Sequence, residues 1–150
     1  MVNSRLALFL IMLTQLVGAD LSQAQSPNVI GNWKVEISFS NGQNRSLRVE
    51  AQPSGKGSFL PLIPPQVGSS ERSTAQWTQP DHDSVTFSGP VQFPLGNVGV
   101  ERGTLVLKGK FGADGAISGE ASFFALNQDS PNPTGKPSKA GSFRATRAMD

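Results

Sequence analysis

From residue 31 onward the chain alternates large apolar and polar residues with a period of two, the repeat of a β-strand that buries one face. The first run, Gly31 to Phe39, puts Trp33, Val35, Ile37 and Phe39 on one side and Asn32, Lys34, Glu36 and Ser38 on the other. Asn41-Gly42 follows, a pair that tolerates positive φ and marks a hairpin. The same alternation predicts strands over about 46–52, 58–62, 73–79, 84–93, 103–111 and 116–125. A last strand carries Gly141-Ser142-Phe143-Arg144-Ala145-Thr146-Arg147. Pro61 argues for an edge position or an early strand end, and Gly89-Pro90 for a bulge or bend. No window after residue 24 has sustained helical periodicity.

The reading is all-β. Eight short strands suit an eight-stranded antiparallel up-and-down barrel, which removes the exposed edges of an open sheet; a two-sheet β-sandwich fits the strand count as well. If strands alternate up and down, the tight turns at 53–57, 80–83 and 112–115 fall at one end. The long connections at 63–72, 94–102 and 126–140 fall at the other, with the Asn41-Gly42 hairpin. One end is therefore closed and the other is open and covered by loops, and long loops are where function concentrates.

The N-terminus changes the picture of where the barrel works. Residues 1–24 read as a secretory signal peptide: Arg5, the apolar run Leu6 to Val17, then the small-residue pattern Ser22-Gln23-Ala24. Cleavage after Ala19 also fits. The remaining 25–150 is one domain, expected to be exported to the periplasm or the extracellular space. The chain of 150 residues has no cysteine, so neither a disulfide nor an N-terminal lipid-bearing cysteine is available. Its 16 Gly and 11 Pro suit frequent turns, and a net charge of +2 without a basic stripe points away from nucleic acid.

Eight strands also describe the smallest outer-membrane barrels, whose outward face is apolar. Here the polar faces carry Lys34 with Glu36, Arg48 with Glu50, and Lys108 with Lys110. A charge at mid-membrane depth on such a wall costs roughly 2–4 kcal/mol. The charged face is therefore expected to meet water, and the mature chain is not expected to be an integral membrane protein.

Gly31-Asn32-Trp33 resembles the Gly-x-Trp motif of lipocalins and the wider calycin superfamily, which includes avidin-like barrels. In lipocalins that tryptophan closes the narrow end and an arginine from near the last strand packs across it. The resemblance implies that Arg144 or Arg147 takes the place over Trp33. It covers the first and last strands, and no second lipocalin motif or biotin-binding set is present, although residues 113–119 look like an avidin-type hairpin. The chain also resembles short secreted bacterial β proteins that open Gly-x-Trp and close Gly-x-Phe-x-Ala-x-Arg, a resemblance that implies a fold and an export route but no activity.

Candidate chemistry is sparse. His82, the only histidine, sits between Asp81 and Asp83, but neighbours in a four-residue turn rarely converge on one ion. Gly96, Gly99 and Gly103 lack the helix and the Lys that a phosphate cradle needs. Glu101 and Asp129 could pair near the open end, yet no catalytic residues, metal or cofactor can be named. The expected site is a small apolar or amphipathic ligand at the open end, walled by Phe39, Trp77, Phe93 and Phe123. Its lid would come from Ile63, Val67, Leu95, Val98 and Leu126. The alternative is a filled barrel whose 63–72, 94–102 and 126–140 loops contact a protein or envelope surface; an enzyme has least support, and the oligomeric state is open.

Overall fold

The computed structural model describes residues 27–64, 70–126 and 135–149. The candidate signal at 1–24, Val67 and Asp129 lie outside them. The strands are β1 (Gly31–Phe39), β2 (Asn44–Ala51), β3 (Lys56–Pro61), β4 (Ser73–Thr78), β5 (Ser84–Pro94), β6 (Val100–Phe111), β7 (Ile117–Ala125) and β8 (Lys139–Arg147). Each pairs antiparallel with its neighbour in sequence. A β1–β8 ladder from Trp33 opposite Arg147 to Phe39 opposite Gly141 closes the wall, and that ladder decides against the sandwich.

The wall is strongly sheared. Lys56 lies opposite Gln76, Gln76 opposite Ser88, Ser88 opposite Val106, Val106 opposite Ser122, and Ser122 opposite Ala140. The Ala140 carbonyl accepts from the Ser40 N–H, just past the end of β1. In the other direction Gln52 bonds Lys56, and Ala51 beside it lies opposite Gly31, the start of β1. One circuit thus climbs the whole length of β1, as a barrel of strands tilted roughly 35–45° requires. Residues at one height are consequently not hydrogen-bond partners.

Alternation turns one side chain in two into the barrel. Trp33, Val35, Ile37, Leu47, Val49, Phe59, Phe87, Leu105, Leu107, Ile117 and Phe123 are fully or almost fully buried in one continuous core. Burying such a side chain stabilises by about 1.5–3 kcal/mol. Eight strands enclose just enough width for side chains to fill, so large rings need small residues opposite them. Gly109 faces Gly119, and Phe143, opposite Gly119, fills the space they leave. A Cβ on Gly109 would lie 2.7 Å from the Phe143 ring and 2.7 Å from Ile117 Cγ2.

Two expectations change. β6 begins at Val100 rather than 103, which shortens the preceding connection to 95–99 and makes β5–β6 the longest hairpin. Gly89-Pro90 forms no bulge: Gly89 lies opposite Leu105 and Pro90 opposite Thr104 in unbroken register. Pro90 is tolerated because its missing N–H falls beyond the β4–β5 ladder, which runs only over Gln76–Thr78. Pro61, as expected, ends its strand.

Candidate functional site

The two ends of the barrel differ as the turn lengths require. At the closed end Gly31 adopts φ +129°, and the Arg147 guanidinium packs against it, Nη1 lying 2.7 Å from where a Cβ would stand. That guanidinium lies 3.9 Å from the centroid of the Trp33 ring. It donates through Nη1 to the Ile30 carbonyl at 2.7 Å and through Nη2 to the Asn28 carbonyl. Trp33 Nε1 donates to the Val29 carbonyl at 2.8 Å, and its ring meets Phe111 edge-on with centroids 5.9 Å apart. The segment before β1 is thereby strapped across the barrel floor. Desolvation lowers the Arg147 pKa from its ordinary value, yet an arginine remains charged.

Arg144 takes a different place. It points outward and pairs with Asp114 of the β6–β7 turn at 2.6 Å. The Arg144 hydrogen bond, followed by the Ala116 N–H at 3.1 Å, holds the Asp114 carboxyl below the usual carboxylate value.

At the open end the core finishes in an aromatic layer. Phe39, Phe93 and Phe123 are at most 5% exposed, and the Phe93 and Phe123 centroids lie 6.0 Å apart. Above them three polar residues are in phase with the inward-facing positions of their strands: Arg45 on β2, Glu101 on β6 and Lys139 on β8. Lys139 Nζ lies 2.5 Å from Glu101 Oε1, with side chains 18% and 21% exposed, and donates to Gln43 Oε1 at 2.5 Å. It sits 5.9 Å from the Phe123 centroid, while the Arg45 guanidinium sits 5.6 Å from that of Phe93. Cation–ring contacts of this kind contribute about 0.5–2 kcal/mol each. A polar cap therefore closes the mouth over the aromatic layer.

Around this cap stands an apolar rim. Leu62, Leu95, Val98, Val100 and Leu126 are all exposed, Val98 to 85%. Three of them belong to the β5–β6 tip, where Gly96 at φ +69° and Gly99 at φ +128° bound a single 3-10 turn. Val100 and Arg102 form a ridge between two surface hollows. One, of about 520 Å³, is completed by Ala125 and Leu126; the other, of about 410 Å³, includes Ser70, Glu71, Gln92 and Pro94.

The expected ligand-binding residues therefore separate into three groups. Phe39, Phe93 and Phe123 share a layer but are packed into the core. Leu95, Val98 and Leu126 are at the same end yet exposed on the rim, and Ile63 nearby is half-buried. Trp77 is at the other end. β4 descends from the open end, so Trp77 stands one residue before its close, half-buried, donating to the Gln52 carbonyl at 2.8 Å. Arg45, Gln43, Lys139, Val100 and Leu62 were not expected from the sequence, and Glu101, expected in a loop where it could pair with Asp129, lies instead on β6 and pairs with Lys139. The signal for the charged ones was available, because each is in phase with Leu47, Gly103 or Phe143.

Among the described residues no group of three or more His, Cys, Asp or Glu could hold a metal ion, and His82 lies exposed in the closed-end turn. No known protein family, curated protein or solved structure matches the chain.

Proposed function

We propose that the protein is an exported docking module: a barrel with a packed interior that engages another surface through its open-end rim. The observation that carries this reading is the grouping of Leu62, Leu95, Val98, Val100 and Leu126 at one end, outside a core already filled. Single exposed apolar residues are ordinary, whereas a group on one rim is a mark of contact. Export rests on residues 1–24 of the sequence. The charged outward positions of the wall, Lys34, Glu36, Arg48, Glu50, Lys108 and Lys110, favour a barrel standing in water. The Gly31–Trp33–Arg147 arrangement supports kinship with lipocalin-like barrels.

A second reading, a small amphipathic anion held at the mouth, is favoured by Arg45. Among the described residues its guanidinium has no carboxylate partner and lies over Phe93. Rim contact is tested by changing Leu95, Val98 and Leu126 together to Ser and measuring co-sedimentation with envelope fragments. The rim reading expects the wild-type chain in the pellet and the variant in the supernatant, with equal melting temperatures. Equal sedimentation of both contradicts it. Native mass spectrometry that finds a small acid retained by the wild-type chain and lost from Arg45→Met would move the assignment to the second reading.

A further inference from the structure

We infer that the surface met by the rim is an anionic lipid surface, with the β5–β6 tip entering the headgroup layer and nearby cations meeting the lipid phosphates. The inference rests on the rim-docking reading above.

Shape is the first ground. At this end the exposed apolar residues are spaced around the mouth, Leu62 after β3, Leu95, Val98 and Val100 on the β5–β6 tip, and Leu126 after β7, whereas the far end exposes Ile30 and Met149. A set of separate apolar points suits a fluid layer, which needs no matching relief, better than it suits a rigid partner, whose interface must be complementary. The tip also meets part of its own hydrogen-bonding need, the Leu95 N–H donating to the Gly99 carbonyl at 2.8 Å. That matters for backbone leaving water.

Charge is the second ground. Of the open-end cations, Lys139 pairs with Glu101 and Arg72 with Glu50. Among the described residues Arg45, Arg102 and Lys136 form no ion pair, and Glu71, beside Arg102 in the rim hollow, is the acid that offsets them in part. At the opposite end Asp114 is paired with Arg144, and Lys56 and Arg147 offset Asp81 and Asp83, so no comparable excess of one sign stands there. A negative surface therefore draws the rim, and each surface-proximal Lys or Arg strengthens such binding by roughly fivefold.

The test is sedimentation of the purified chain with vesicles of phosphatidylcholine alone or mixed with phosphatidylglycerol. Binding is expected on the mixed vesicles, weakened by salt and absent on phosphatidylcholine. Val98→Asp should lower the partition coefficient at least about tenfold, and Arg102→Glu about thirtyfold, both with unchanged thermal midpoints. Equal binding to the two vesicle types overturns the anionic assignment. A photoreactive phenylalanine analogue at position 98, activated in cells expressing the full chain, separates the two levels of the claim. A lipid adduct together with anionic-vesicle binding supports the inference. A protein adduct without vesicle binding overturns it and leaves rim docking standing; neither adduct nor binding overturns both.

Discussion

Gly31, Trp33 and Arg147 form a unit in which each residue type has a separate cause. Only glycine fits both the φ of +129° and the guanidinium packed against position 31, and Trp33 supplies the face on which that guanidinium lies. Gly31→Ala is expected to cost about 1–3 kcal/mol, read as a lower urea midpoint with unchanged slope. Arg147→Met keeps most of the packing but removes the strap to the Ile30 and Asn28 carbonyls, so faster hydrogen exchange at 28–33 is expected. Asp114 gives a pH-dependent counterpart. Its pKa is lowered in the fold by Arg144 and the Ala116 N–H, so its contribution is complete above the unfolded value and fades as pH falls below about 4. Asp114→Asn should lower stability slightly at neutral pH, and its difference from the wild type should vanish as pH falls through the Asp114 titration, so the variant shows a flatter acid limb in a stability–pH curve. The inward parity of Arg45, Glu101 and Lys139 was readable from period two. Which of them would pair was not, because Glu101 on β6 and Lys139 on β8 are separated by β7 and meet only through the stagger of the strands at the mouth.

Strand length explains why the two ends of the barrel behave differently. β3 and β4 have six residues each, whereas β5 and β6 have 11 and 12, so β5–β6 carries its tip beyond the shorter hairpins. The polar cap ties the long hairpin to β8. Removing Glu101 alone would leave Lys139 poorly solvated above Phe123. Glu101→Met should therefore cost between the roughly 1 kcal/mol of a surface pair and the roughly 3 kcal/mol of a buried one. The double change with Lys139→Met should recover part of the loss in a double-mutant cycle. Gly109→Val tests the filled interior, because its side chain must displace Phe143 or Ile117, and a loss of about 1–3 kcal/mol is expected in denaturant unfolding. Strand existence was legible throughout. The start of β6 was not, since Val100-Glu101-Arg102 has no alternating apolar pair to announce it and is drawn into the sheet by Phe93 and Pro94 opposite.

Over the whole molecule, the parity of tight turns and long connections in the sequence sets the sense of the barrel, and closure by β1 and β8 follows it. What sequence left open was whether the interior held a space, because that depends on how Phe59, Phe87, Phe143 and the inward glycines interlock. Trp33 and Trp77 both belong to the closed end, so tryptophan emission is expected to stay unchanged when the rim is engaged. The absence of cysteine makes a single introduced thiol a unique label. The most direct measurement is the emission of an environment-sensitive dye on Val98→Cys at the rim and on Ala113→Cys in the closed-end turn, as envelope membranes are added. Rim docking predicts a blue shift at position 98 and none at position 113. A shift at 113 with none at 98, or no shift at either, would contradict it.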